Sequence, residues 1–197
     1  LLRALGGTPA DVLCYSMGAR IALRLAVDHP GAVGRLVLES PSTGIADPAD
    51  RARRQSADEA LAKLIEREGI DAFVDRWAAQ PFFASQVALP EGVRRRLRRE
   101  RLGHRPGGLA NALRGAGQGV MAPLAGRLPD VLAPTLVIAG ELDALGRERA
   151  AAVVAGIPGA HIEIVGGAGH APHLERPAVF RRLVIAFLAG TNVRPAH

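Results

Sequence analysis

Short continuous apolar runs alternate with helix-spaced apolar positions at both ends of the chain, and the middle lacks such runs. Asp11–Tyr15 (DVLCY) reads as a buried strand. From Met17 to Asp28 the residues Ile21, Ala22, Leu25 and Ala26 recur at helical spacing, and His29-Pro30-Gly31 ends the helix. Gly34–Ser40 (GRLVLES) reads as a second buried strand. Strand, helix and strand within about 30 residues form a parallel βαβ unit. Ahead of it, LLRALG reads as the last turns of a helix closed by Gly6-Gly7.

From Asp47 to about Gly119 the pattern is helical and arginine-rich, with no clear strand. Asp47-Pro48 is a helix start, with the acid as cap and proline in the first turn. Gly69, Gln80-Pro81, Pro90 and Pro106-Gly107-Gly108 divide this stretch into about four helices. The alternation then resumes with a strand in Ala133–Asp143, a helix over Gly146–Ala155, and a strand and loop over Ala160–His170. Pro177–Ala189 is a final amphipathic helix, and TNVRPAH reads as a loose tail. There are no internal repeats. The predicted class is α/β, a mostly parallel doubly wound sheet carrying an inserted helical cap. Its core is divided between 1–46 and 120–197, and the cap is 47–119. Four strands are few for such a sheet, and the chain opens without a helix start, so further strands are expected to precede Leu1 in the whole protein.

Composition narrows the class. At 197 residues the chain can bury one full-sized core. No apolar run approaches the roughly 20 residues that span a bilayer, and the opening lacks the basic start and apolar stretch of a signal peptide. A soluble cytoplasmic protein is expected. The single cysteine excludes an internal disulfide framework and a cysteine-based metal cluster, which suits a reducing compartment. The net charge of +6 is carried almost wholly by arginine, since Lys63 is the only lysine. Guanidinium suits carboxylate or phosphate ligands. Nucleic acid is not an expected partner: five Phe, one Trp and one Tyr form no aromatic series interleaved with a basic stripe.

The candidate chemistry lies at strand ends, where functional residues gather in doubly wound sheets. Ser16 falls at a strand-to-helix junction in CYSMGAR, a G-x-S-x-G pattern with Cys14 in place of the first glycine. Gly18 is expected to let the backbone pass without a clash. Alone, such a serine reads more readily as a helix cap than as a nucleophile. Asp143 follows LVIAGEL and His170 follows IEIVGGAG, so three strands end in the order Ser, acid, His. His170 would take the serine proton, Asp143 would hold the imidazole in the right tautomer, and Ser16 would be the activated group. Glu141 and Glu39 also lie near strand ends and compete for the acid role. His170 and His173 form an i, i+3 pair without the acid and cysteine set of a zinc site, so neither a metal nor an organic cofactor is expected.

These residues resemble the α/β-hydrolase superfamily over nearly the whole chain, and within it the 2-succinyl-6-hydroxy-2,4-cyclohexadiene-1-carboxylate synthases of menaquinone biosynthesis. YSMGAR is similar to that family's Y-S-[LM]-G-G-R, which implies that Tyr15 and Arg20 line the substrate pocket. LVLESPSTGI followed by RARRQSAD resembles its strand and first cap helix, implying a substrate-binding Arg53. FVDRWAAQPFFAS resembles its F-x-x-x-W-x-x-x-P-[LV]-F-A segment, implying Trp77 at the cap floor, and ERLGHRPGGLANALRGAG implies a pocket arginine at Arg101. By itself Trp77 reads as a packing residue, and the Arg94–Arg99 run reads as a solvated helix face. Arg20 is one helical turn from Ser16, where a cation suits a carboxylate substrate.

The resemblance implies a small polycarboxylate substrate, loss of the proton alpha to its succinyl ketone, and elimination of pyruvate. The enolate oxygen would be held by backbone N–H groups, that of Met17 among them. In the family a second donor comes from a loop nearer the N-terminus. The 15 residues ahead of Ser16 contain no such loop, and losing one donor costs about 100- to 1,000-fold. This stretch alone is therefore expected to be inactive or weak, and the full-length product active. Two rivals share the pattern. One is a serine esterase or carbon–carbon bond hydrolase of the same fold, with no need for Arg20, Arg53 and Arg101. The other is an inactive hydrolase-like binding module. The sequence carries no reading of oligomeric state.

Overall fold

A computed structural model describes residue 7 and residues 9–190. The helix read in LLRALG and the loose tail read in TNVRPAH lie outside the described residues. The chain divides into two compact units: Gly44–Pro123, and the segments on either side of it.

The flanking segments build an α/β unit on four parallel strands in the order β1-β2-β3-β4, with β1 Ala10–Tyr15, β2 Val33–Glu39, β3 Thr135–Gly140 and β4 His161–Val165. Parallel pairing requires crossovers. Here α1 (Met17–Asp28) links β1 to β2, and α5 (Ala144–Gly156) links β3 to β4. Strand side chains alternate between faces, so each face has its own core. Leu36, Leu38, Val137 and Ala139 meet Ala22, Leu23 and Ala26 of α1 and Ala150 and Val153 of α5. Val37, Leu136 and Ile138 belong to a second cluster with Phe180, Leu183 and Val184 of α7 (Pro177–Leu188). This two-sided burial explains why β2 and β3 read as unbroken apolar runs. Among the described residues β1 pairs with β2, and its Val12 and Cys14 pack on the helices.

Gly44–Pro123 contains helices and no strand. Within it, α2 (Pro48–Ala78) starts on the Asp47 carboxylate, which accepts the Asp50 N–H at 2.8 Å. Helix α2 is broken at Gly69, whose φ of 83° and ψ of −176° are non-helical. A 3-10 segment (Pro81–Ala88), α3 (Glu91–Leu102) and α4 (Pro106–Ala116) follow. Each of these starts at or beside a proline, whose missing N–H costs nothing in a first turn. Ile65, Phe73 and Val74 form this unit's core. Arg114 of α4 reaches both Glu59 (2.8 Å) and Glu66 on α2. The Arg94–Arg99 run lies on α3, a helix with no buried residue. Among the described residues no helix is long and apolar enough to cross a membrane.

Candidate active site

Ser16 joins β1 directly to α1, and a strand that turns straight into a helix forces its joint residue out of ordinary conformations. Its φ of 50° and ψ of −108° lie where a non-glycine residue is held at a cost of about 1–3 kcal/mol. Two backbone bonds hold it there. The Ser16 N–H donates to the Glu39 carbonyl at 2.9 Å, and the Ser16 carbonyl accepts from the Arg20 N–H at 3.2 Å. The hydroxyl makes no capping bond to α1. Instead its Oγ lies 3.0 Å from His170 Nε2. The Met17 N–H is in the first turn of α1, where backbone donors lack intrahelical acceptors and the helix end favours negative charge.

The turn corrects one expectation. Among the described residues Gly18 is not needed to avoid a clash: a Cβ placed there would meet the Cys14 Cβ at 3.7 Å and Sγ at 4.0 Å, which are ordinary contacts. Cys14 is accommodated at the first glycine position of the pattern because its side chain packs with the apolar residues of the α1 face. Burial pushes its thiol pKa up.

His170 lies on the loop after β4, and that loop is pinned at several atoms. The buried Glu175 carboxylate, on the short helix α6 (Pro172–Glu175), accepts the N–H groups of Gly169 (2.7 Å) and Ala171 (3.2 Å). The Ser40 hydroxyl donates to the His170 carbonyl at 2.8 Å. On the ring, Nδ1 lies 2.6 Å from Asp143 Oδ2. An ionised carboxylate only accepts, so this contact puts the ring proton on Nδ1 and leaves Nε2 as an acceptor for the serine hydroxyl.

Asp143 caps α5, taking the Gly146 N–H at 2.9 Å on its other oxygen. Burial pushes its carboxyl up, but the bonds from His170 and Gly146 and the nearby charges of His170 and Arg149 outweigh this. Its pKa is held below the ordinary 3.8. The two competing acids are engaged elsewhere: Glu141 accepts the Gly167 N–H at 2.7 Å, and Glu39 binds His173. Gly146 is required here, because a Cβ would overlap the Asp143 carboxylate, 2.5 Å from its Cγ. Gly146→Ala is therefore expected to push that carboxylate off His170 and lower kcat by about 100-fold, the cost of displacing a reacting group by roughly 1 Å. An unchanged kcat would show that the carboxylate adjusts in place.

Tyr15 stands beside this chain of groups, its ring centroid 5.5 Å from that of His170. Arg20, one turn into α1, is buried at 8% exposure. The other three residues expected to bind substrate lie in the helical unit. Arg53 is exposed and paired with Asp50. Trp77 stacks on Phe73 at 5.5 Å and meets Phe82 and Phe83 edge-on. Arg101 lies 5.1 Å over the Phe83 ring and donates to Gln86 at 3.2 Å. The sequence reading did not single out Ser40 or Glu175. Neither leaves a pattern, because each acts through a backbone atom of the His170 loop. Among the described residues no cluster of three or more His, Cys, Asp or Glu is placed to hold a metal ion.

Comparison with known proteins places these features in a family. A putative 2-succinyl-6-hydroxy-2,4-cyclohexadiene-1-carboxylate synthase of Bacillus subtilis is 40% identical over 180 residues, covering 89% of this chain and 64% of its own length. A 2-succinyl-6-hydroxy-2,4-cyclohexadiene-1-carboxylate synthase of Serratia proteamaculans is 30% identical over 177 residues, covering 89% of this chain and 66% of its own length. The chain thus spans about two thirds of the curated relatives it matches. The solved structure of MenH from S. aureus superposes with a TM-score of 0.92 at 34% identity, covering 96% of this chain and 71% of that one. The alpha/beta hydrolase family itself matches residues 1–183. A match from the first residue into α7, on a parallel sheet whose first strand turns into its helix at a strained serine, has one meaning: the chain belongs to the alpha/beta hydrolase family.

Proposed function

We propose that the protein eliminates pyruvate from 2-succinyl-5-enolpyruvyl-6-hydroxy-3-cyclohexene-1-carboxylate in menaquinone biosynthesis, with Ser16, His170 and Asp143 as its catalytic triad. The observation that carries the chemistry is the hydrogen-bonded series from Ser16 Oγ through His170 to Asp143, with the serine free of any capping role. The substrate assignment is supported by the names of the Bacillus subtilis and Serratia proteamaculans proteins that the chain resembles.

In this reaction His170 Nε2 takes the Ser16 proton as Ser16 Oγ takes the proton alpha to the succinyl ketone. The carbon's electron pair moves into an enolate, whose oxygen accepts from the Met17 N–H. Return of that pair through the ring breaks the bond to the enolpyruvyl oxygen and forms the conjugated diene. The departing pyruvate enolate takes the proton from the imidazolium, so serine and histidine end as they began. Asp143, with its lowered pKa, remains ionised throughout and stabilises the transient imidazolium. Tyr15 and Arg20 are read as substrate contacts beside the reacting centre. Arg53, Trp77 and Arg101 are read as substrate contacts on the strength of the family resemblance.

The test is pyruvate release by the full-length gene product, measured beside hydrolysis of a neutral ester. Arg20→Ala is expected to lower kcat/KM on the polycarboxylate by about 10- to 100-fold, the worth of a charge-assisted hydrogen bond, and to leave ester hydrolysis unchanged. If Arg20→Ala leaves the preferred reaction untouched, or the ester is the better substrate, the synthase reading fails in favour of a serine esterase.

A further inference from the structure

We propose that Glu39 and His173 act as a positioning pair, a second carboxylate–imidazole couple that holds Tyr15 against His170. The inference rests on the reading of Ser16 as the reactive group. Glu39 is the last residue of β2 and the register partner of Tyr15 on β1, and it is 1% exposed. A carboxylate so deeply buried needs compensation at close range. His173 supplies it, with its backbone N–H at 2.9 Å and its ring Nδ1 at 2.8 Å. Both imidazoles of the His170–His173 stretch are therefore bound through Nδ1 to an acid at or just past a strand end, Asp143 for one and Glu39 for the other. The Tyr15 ring contacts both, at 5.5 Å from His170 and edge-on at 5.0 Å from His173. Phe180 closes the other approach to His173 at 5.9 Å. Since Tyr15 precedes the strained Ser16, a change in the Glu39–His173 pair is transmitted to the serine joint and to the His170 ring together.

The full-length protein carrying Glu39→Gln, His173→Gln or both separates this role from mere support of α6. The readouts are the rate of Ser16 labelling by a neutral fluorophosphonate, kcat and KM for pyruvate release, and the thermal midpoint. Each single change is expected to slow labelling and lower kcat by about tenfold, with KM within about twofold of the parent. The double variant is expected to fall no further than the weaker single, because the two groups act as one. Glu39→Gln is uncharged and nearly isosteric, so it carries the test if His173→Gln does not fold. A lowered midpoint with parental labelling and kcat overturns the proposal, as do losses that multiply in the double variant. A parent that labels without releasing pyruvate would remove the proposed reaction and leave this inference to be decided by labelling alone. A parent that does not label overturns it.

Discussion

Ser16→Ala is expected to lower pyruvate release by about a thousandfold or more, the upper part of the range for a positioned general base. In the proposed reaction the serine oxygen, 3.0 Å from the imidazole Nε2, relays the substrate proton to it. Alanine leaves His170 with its tautomer and its Asp143 bond intact but with no group to deliver its basicity. Stability should change little, because one hydrogen bond is lost at a cost of about 1 kcal/mol, and alanine tolerates the strained φ no worse than serine does. Steady-state rates beside thermal midpoints check both halves. A fall of less than tenfold in a folded variant would mean that His170 takes the carbon-bound proton directly, and Ser16 would leave the mechanism.

The second large effect is expected away from the reacting atoms. A Cβ at Gly140 would overlap the carbonyl oxygens of Gly169 and Ala168 and fall 2.7 Å from the Ala168 carbonyl carbon. These are backbone atoms, so no side chain can swing aside. The segment is also tied down by Glu175 and by the Ser40 bond to the His170 carbonyl. Gly140→Ala must therefore displace either the end of β3 or the loop that carries His170. It is expected to destabilise the fold by about 1–3 kcal/mol, as overpacking does, and to lower kcat at least about 100-fold as His170 shifts. Gly18→Ala is the natural control, since its new Cβ would make only ordinary contacts with Cys14. Thermal melts and kcat on both variants decide the matter. A Gly140→Ala protein with parental midpoint and rate would show that the loop is softer than its hydrogen bonds imply.

Much of the scaffold was legible because burial on two faces leaves a plain mark. The run LVL in β2 and TLVIA in β3 must be apolar at successive positions when helices cover both sides. The breaks at Gly69, Pro81, Pro90 and Pro106 were readable because proline and glycine act locally.

The site divides along the same line. Strand-end placement marked Ser16, Asp143 and His170 as candidates, and Glu39 and Glu141 remained open as rivals because all three acids lie at or near strand ends. Only tertiary structure separates them, by distance: Asp143 lies 2.6 Å from His170, Glu39 is taken by His173, and Glu141 by Gly167. Likewise the need for Gly140, the indifference of Gly18, and the work of Ser40 and Glu175 are contacts between segments far apart in the chain. The sequence by itself determined which segments become strands and helices and which reactive side chains stand at their ends, because those depend on neighbours a few residues away. Which acid meets the histidine, and which backbone atoms hold that histidine in place, was decided only by folding, because hydrogen bonds reach about 3 Å and the partners meet only once the sheet is assembled.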